Sequence, residues 1–194
     1  LMLTVFVLQE AIQKINQYKG EFYFSINIPE AIVNHRLTLQ MMRHCLRQLH
    51  RPQLSKRLAL EFSEVININQ TEGVAQIIAE LQKMGFCVML DDCFSEGSVF
   101  FPVRSIQFNA FKLDVKIIRD MQQDPHALAL IKSLHYYCKL TESHCVAEGV
   151  DSIEKFEILK ELGFNHFQGH FISRPMDNSA FESYMEHEGK HNCS

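Results

Sequence analysis

Six short apolar stretches of this sequence each contain or end at polar side chains that can take part in chemistry. The polar groups are carboxylates, amides and one lysine, and none is a cysteine or a histidine. In chain order they are Asn27, Glu61, Asp91 with Asp92, Lys112 with Asp114, Glu148, and Gln168. Oxygen ligands of this kind suit Mg²⁺ or Mn²⁺ rather than zinc. If these stretches meet, the sequence predicts a site for hard divalent cations.

Such a site is typical of phosphodiester hydrolysis. Clustered carboxylates repel one another, and bound cations offset that repulsion. Paired metal ions can activate a water and stabilise the leaving oxygen, while a lysine offsets charge on the phosphoryl oxygens. Each residue also has a structural interpretation: Glu61 and Glu148 as strand ends or helix caps, Lys112 as a side chain extending to solvent, and Gln168 as part of a turn. Spacing alone leaves the reaction class open.

The elements that position these groups alternate between strand and helix. Strand-length runs rich in β-branched and aromatic residues occupy 22–28, 57–62, 86–90, 106–113, 144–147 and 164–167. Helical spacing between them predicts one helix over 74–81 closed by Gly85, and another after Pro125. A further helix precedes Gly163, and Asp151 with Glu154 fits a capping box at its start.

This alternation predicts an α/β fold with a parallel sheet, either open and doubly wound or closed into a TIM-like (β/α) barrel. Barrel enzymes draw catalytic groups from many strands to one rim, whereas an open sheet concentrates its site at one switch point. Polar groups on six strands favour the barrel. Because a closed barrel has eight units, the six found here predict a barrel that is incomplete at the N-terminus.

Composition narrows the class of protein further. The chain has 194 residues, 46% of them hydrophobic, which suits one domain spanning 1–194. The formal net charge is −4 and the basic residues are spread along the chain, so we expect no binding to long nucleic acid. Six cysteines without a CxxC pair predict buried thiols in a reducing compartment. No membrane span or signal peptide is evident, so we expect a soluble, cytoplasmic protein.

Several segments resemble the EAL family of cyclic di-GMP phosphodiesterases. They stand in family order and cover most of the chain. The matching segments are Ser25-Ile26-Asn27-Ile28, Leu60-Glu61-Phe62-Ser63-Glu64, Leu90-Asp91-Asp92, Phe111-Lys112-Leu113-Asp114, Val146-Ala147-Glu148-Gly149-Val150, Gln168-Gly169 and Ser173-Arg174-Pro175. The resemblance implies a TIM-like barrel that binds cyclic di-GMP through two Mg²⁺ or Mn²⁺ ions and hydrolyses it to pGpG. It also implies a homodimer.

The resemblance assigns roles residue by residue. The implied metal ligands are Asn27, Glu61, Asp91 and Asp92. The implied catalytic groups are Lys112, near the attacking water and scissile phosphate, Glu148, as general base or support of the second metal, and Asp92, which serves that metal and the water. The implied supporting groups are Asp114 beside the lysine, Gln168 holding the site together, and Glu64 anchoring the loop after Asp92.

Two departures from the family pattern limit these implications. The Glu-Ala-Leu segment that names the family is expected upstream of Leu1, and without it the metal site lacks one carboxylate. We therefore expect that the chain lacks its first strand or strands, and a sensor or membrane anchor can precede it. The second departure is the loop 93–97, where Phe94 and Glu96 replace glycines of the family pattern. We expect weakened catalysis or altered dimerisation from this loop.

Two other functions remain open at this point. The altered loop and the absent segment favour a catalytically inactive EAL-like receptor for cyclic di-GMP or a protein-binding regulator. Against this, the chain retains nearly all the metal-site residues that it covers. A carbohydrate or sugar-phosphate barrel enzyme rests on the fold alone and requires the motif matches to be coincidental.

Overall fold

The computed structural model describes residues 2–29, 32, 36–63, 73–95 and 106–187. Within these ranges, strands and helices alternate as the sequence predicts. The strands are β1 Phe24–Asn27, β2 Leu58–Ser63, β3 Cys87–Cys93, β4 Ala110–Leu113, β5 His144–Glu148 and β6 His166–Gln168. The α-helices are α1 Met2–Gln17, α2 Arg36–Gln48, α3 Val74–Lys83, α4 Val115–Asp120, α5 Pro125–Leu140, α6 Ile153–Glu161 and α7 Asn178–His187, with a 3₁₀ helix at Pro52–Arg57.

The six strands form one parallel sheet in the order β1-β2-β3-β4-β5-β6. Each strand therefore lies beside the next strand in the chain, which is the connectivity of a (β/α) barrel and not that of a doubly wound sheet. The strands make a curved arc, with helices packed on its outer side, that corresponds to part of a TIM-like barrel. The predicted fold class is confirmed.

Side chains along each strand point alternately to an outer face, which packs against the helices, and to an inner face on the concave side of the sheet. On β2, Leu58, Leu60 and Phe62 are at most 1% exposed and belong to the main core beneath the helices. Ala59 points the other way and packs with Met89 and Ala110 on the concave side of the sheet. Because side chains alternate with a period of two, Glu61 shares the inner face with Ala59. The concave face is thus apolar at the start of the strands and polar towards their ends.

The predicted helices are confirmed, with one correction to a cap. α3 stops before Gly85, whose φ of 90° suits glycine, and α5 begins after Asp124, whose carboxylate accepts a hydrogen bond from the backbone of His126 at 2.8 Å. The proposed cap Asp151 is wrong, because Ser152 is the N-cap of α6. Asp151 instead forms an ion pair with Lys155. None of the described helices is long and apolar enough to span a membrane.

The turn after α5 contains a strained residue. Glu142 has a φ of 54°, and the backbone of Ser143 donates to the carbonyl of Cys138 across the turn. This position after a helix favours glycine, because a side chain in the left-handed region costs about 1 kcal/mol. We expect Glu142→Gly to raise the free energy of unfolding by about that amount in urea titrations. Glu157→Gly, in the exposed middle of α6, should lower it by a similar amount, and equal effects of the two changes would contradict the assignment.

His135 on α5 makes the stability depend on pH. Its ring stacks on Phe164 at 4.5 Å, and among the described residues neither ring nitrogen has a hydrogen-bond partner. Burial, and then the charge of Lys139, lowers the pKa of His135. The unfolded chain therefore takes up the proton first, and stability falls as pH drops below about 6.5.

We expect His135→Phe to stabilise the protein by about 1 kcal/mol at neutral pH, because no unpaired nitrogen is then buried. The advantage should grow from pH 7 to pH 5 in chemical denaturation. His126→Phe, at an exposed position of the same helix, is the control and should leave the pH dependence unchanged. A parallel loss of stability in wild type and His135→Phe would argue against this role.

Candidate active site at the carboxyl ends of the strands

Lys112 lies at the centre of a buried ionic cluster on the concave face. Its Nζ is 3.0 Å from Oε2 of Glu61, 3.2 Å from Oδ1 of Asp91 and 2.8 Å from Oε1 of Glu148. These carboxylates come from β2, β3 and β5, and the lysine comes from β4. The strand register turns all four side chains inward, so positions 51 residues apart in sequence can contact one another.

The environment of Lys112 keeps its side chain charged. The residue is 3% exposed, and burial alone would lower its pKa. The hydrogen bond to Glu148 and the charges of Glu61, Glu148 and Asp91 outweigh that effect, so the pKa of Lys112 is raised. The amine is therefore a fixed ammonium, held in one place by three carboxylates.

Asp91 and Asp92 lie at a distortion in β3. The pairing of β3 with β4 shifts register between Leu90 and Cys93, which is the mark of a β-bulge. Asp92 has a φ of 57°, in the left-handed region, and its backbone N–H donates to its neighbour's Oδ1 at 3.0 Å. The bulge lets two consecutive carboxylates approach the same cluster, where a regular strand would direct them to opposite faces. This local strain costs about 1 kcal/mol.

Asp91, Asp92 and Glu148 together can hold a cation. One carboxylate oxygen from each lies within 4.8 Å of the others. Burial and then the charges of Asp91 and Asp114 raise the pKa of Asp92. Burial also raises the pKa of Glu148, even though Lys112 opposes that rise. The cluster thus retains an excess of negative charge after Lys112 is counted, and its ligands are all oxygen, which fits Mg²⁺ or Mn²⁺.

The other predicted residues lie around this cluster in different ways. Asn27 is paired in register with Glu61, and Gln168 is paired with Glu148. Asn27 and Gln168 are exposed and lie on the two edge strands of the sheet, β1 and β6. Asp114 is buried and caps α4 by accepting a hydrogen bond from the backbone of Lys116 at 2.7 Å. That cap is a structural role which the sequence analysis did not assign to it. Glu64 lies outside the described residues.

The loop after Asp92 begins with a second residue in the left-handed region. Phe94 has a φ of 69° and packs against the main core. The backbone thus adopts here a conformation that favours glycine, although the residue is aromatic. Glu96 and Gly97, the rest of the predicted departure, lie outside the described residues. Among the described residues, the metal-binding group contains no residue that the sequence analysis had missed.

Comparison with known proteins agrees with this geometry. The family model described as "EAL domain" matches residues 2–175. The cyclic di-GMP phosphodiesterase PA2567 of Pseudomonas aeruginosa is 26% identical over 128 residues, which is 66% of this chain and 22% of that protein. The chain spans about a fifth of the length of such curated relatives.

Solved structures agree with the fold. "PaMucR Phosphodiesterase, c-di-GMP complex" superposes with a TM-score of 0.83 at 22% identity, over 93% of this chain and 74% of that one. An EAL domain protein from Listeria monocytogenes EGD-e superposes with a TM-score of 0.80 at 27% identity, over 95% of this chain and 72% of that one. The matched motifs, the arc of parallel strands and the acidic rim thus have one common explanation: this chain belongs to the EAL domain family.

Proposed function

We propose that this site binds cyclic di-GMP and hydrolyses one of its phosphodiester bonds to give linear pGpG. The observation that supports it most directly is the buried ammonium of Lys112 beside the acidic group of Asp91, Asp92 and Glu148. Such a site offers both positive charge for a phosphate and oxygen ligands for cations. Family membership adds a substrate class, since a matched relative is named a cyclic di-GMP phosphodiesterase.

We propose two Mg²⁺ or Mn²⁺ ions as cofactors. Asp91, Asp92 and Glu148 have carboxylate oxygens close enough together to bind one ion. We propose Glu61 on β2 and Asn27 on β1 as further ligands, since these two residues are paired in register. When bound, divalent ions of this type polarise the phosphodiester and make water a stronger nucleophile. Gln168 and Asp114 support the site from β6 and from the start of α4. Glu64 is proposed as the anchor of the loop after Asp92.

Besides holding the ions, side chains of this site supply positive charge to the phosphate and accept a proton from the water. The ammonium of Lys112 is oriented by its carboxylate partners and can donate a hydrogen bond to a phosphoryl oxygen, where negative charge grows. Glu148 has a raised pKa, so its carboxylate accepts a proton from the attacking water more readily than an exposed glutamate does. Asp92 lies beside it and helps to orient that water. Water attacks in line as its proton passes to Glu148, the bond from phosphorus to one ribose oxygen breaks, and that oxygen takes up a proton from solvent to become a hydroxyl group.

Turnover is the direct test. The full-length protein, incubated with cyclic di-GMP and either Mg²⁺ or Mn²⁺, should release pGpG, followed by liquid chromatography. Chelation by EDTA should stop the reaction, and added metal should restore it. Failure to form pGpG with both metals, in a folded protein that binds the dinucleotide, would reject the enzymatic proposal.

A catalytically inactive receptor is the second candidate, and the conformation of Phe94 is the observation that favours it. Phe94 adopts the left-handed conformation that favours glycine, but it adds an aromatic side chain close to Asp92 at a position where the resemblance expects no side chain. Calorimetry that shows cyclic di-GMP binding without hydrolysis in either metal would support this candidate. The same measurement therefore separates the two proposals.

Three further proposals follow from the sequence. We infer that 1–194 belongs to one EAL-type domain, because described strands and helices alternate in one sheet from β1 to β6. We infer a homodimer and a cytoplasmic location from the resemblance and from the absence of an apolar membrane span in the sequence. Light scattering of the purified protein tests the homodimer, and cell fractionation tests the cytoplasmic location.

A further inference from the structure

Two histidines contact each other at the edge of the sheet opposite the acidic rim. His144 is the first residue of β5, and His166 is the first residue of β6. These strands are neighbours, with Val146 paired to His166, so His144 lies diagonally across from His166. The ring centroids are 4.9 Å apart and the ring planes meet at 62°. Two adjacent strands thus bring two imidazoles together at the end where both strands begin.

Both imidazole rings lie on the concave face of the sheet. Cys145 is 5% exposed and packs in the main core, so His144 points the other way, as Glu148 does. Phe167 packs against the same core, which directs His166 inward. His144 and Glu148 stand at opposite ends of β5, roughly 13 Å apart at about 3.3 Å per residue. The histidine pair is therefore separate from the acidic group at the rim.

Asn165 fixes the orientation of the His166 ring. Its Oδ1 accepts a hydrogen bond from Nδ1 of His166 at 2.5 Å. Because an amide oxygen can only accept, the proton stays on Nδ1, and Nε2 keeps a lone pair. Histidines that bind metals are typically held in this way, with the other ring nitrogen donating to an oxygen. The hydrogen bond therefore leaves Nε2 of His166 ready to bind a cation.

The His166 ring also favours the uncharged state. Burial, and then the charge of His144, lowers the pKa of His166. At neutral pH the ring is therefore neutral, which is the form in which imidazole binds a metal ion. Protons on both rings would repel each other, whereas one cation shared by two neutral rings attracts both.

The ligands at this edge of the sheet differ in kind from those at the rim. Imidazole nitrogen suits Zn²⁺, Cu²⁺ and Ni²⁺, whereas carboxylate oxygen suits Mg²⁺ and Mn²⁺. Among the described residues, the group of three acidic side chains at the rim is the one set of that size able to share an ion. A cation between the two histidines therefore keeps water in its remaining positions, so we expect a moderate affinity.

We propose that His144 and His166 form a second cation site, for Zn²⁺ or a related transition-metal ion, at the amino ends of β5 and β6. Asn165 is a positioning residue of this site. Strand β5 then carries ligands for two different classes of ion, with His144 at its start and Glu148 at its end. If the rings only pack against each other, the pair has no affinity for a cation, and this difference can be measured.

Calorimetric titration of the full chain with Zn²⁺ tests the site, in excess Mg²⁺ that competes for the oxygen ligands. His144→Gln and His166→Gln should each lower the affinity for Zn²⁺ at least roughly tenfold. Asn165→Ala should lower it less, because that side chain only orients a ligand. His126→Gln, at an exposed position on α5, is the control and should bind Zn²⁺ like wild type.

Nitrogen-15 NMR of the imidazole rings gives a readout in the wild-type protein. Added Zn²⁺ should shift Nε2 of His166 and leave Nδ1 protonated. Asp91→Asn, which weakens the rim, should retain this zinc site, and circular dichroism checks that each variant is folded. The proposal is overturned by equal zinc affinity in wild type and both histidine variants, by loss of all zinc binding in Asp91→Asn, or by imidazole signals that zinc leaves unchanged.

Discussion

Replacing Lys112 with methionine is expected to lower the rate of cyclic di-GMP hydrolysis at least roughly 100-fold. Methionine keeps much of the apolar stem of the side chain but removes the ammonium that three carboxylates hold in place. Negative charge growing on the phosphoryl oxygens then has no positive partner from the chain. The release of pGpG, measured at saturating substrate and metal, reports this loss.

The same change should also affect stability in a way that distinguishes the site from an ordinary buried ion pair. Removal of one partner from a buried cluster costs about 3–5 kcal/mol, because uncompensated charges remain. Here those charges are potential metal ligands, so Mn²⁺ should raise the Tm of Lys112→Met more than that of wild type. Lys132→Met, at an exposed position on α5, should change neither activity nor Tm. Full activity in folded Lys112→Met would contradict the assignment.

The second large effect is expected at Asp91. Asp91→Asn keeps the shape of the side chain but removes one negative charge from the group formed with Asp92 and Glu148. We expect the affinity for Mn²⁺ to fall at least tenfold, because one anionic ligand becomes a neutral amide. Calorimetric titration with the metal measures this, and hydrolysis at fixed metal should fall in parallel.

A matched control is available for this variant. Asp120→Asn removes the same charge from an exposed carboxylate that pairs with Arg119 at the end of α4. It should leave metal affinity unchanged. If Asp91→Asn and Asp120→Asn bound Mn²⁺ equally well, the acidic group could not be the metal site.

Much of the fold was predictable because the signals are local. Strand-length apolar runs locate all six strands, and helix ends near Gly85 and Pro125 follow from the backbone properties of those residues. The convergence of Glu61, Lys112 and Glu148 was predictable for a related reason. In a parallel sheet, inward positions near the carboxyl ends of strands lie at one edge, whatever their separation in sequence.

Other features depend on tertiary detail that sequence patterns do not contain. The bulge at Asp91 and Asp92 arises from a register shift between two strands, and no local pattern specifies a register. The cap of α6 was misassigned because Asp151 and Ser152 are both good capping residues, and only the backbone geometry selects the serine. Likewise, Asp114 fits both a catalytic cluster and a helix cap in the sequence, and the structure shows the cap.

The concentration of arginines on α2 illustrates the opposite problem. The whole-chain charge of −4 does not reveal that the thirty residues 31–60 contain six lysines and arginines and no acidic side chain. Net charge describes long-range attraction but not its distribution over a surface. The exposed faces of α1 and α2 become apparent only when burial separates their core residues from their solvent-facing ones.

The most direct test is to locate the cation. Crystals of the protein grown with Mn²⁺ and cyclic di-GMP should show anomalous density roughly 2 Å from carboxylate oxygens of Asp91, Asp92 and Glu148, with a phosphoryl oxygen beside the Lys112 ammonium. Density at another place, with Lys112 still bound only to Glu61, Asp91 and Glu148, would contradict the claim that this rim is a metal-dependent phosphodiesterase site.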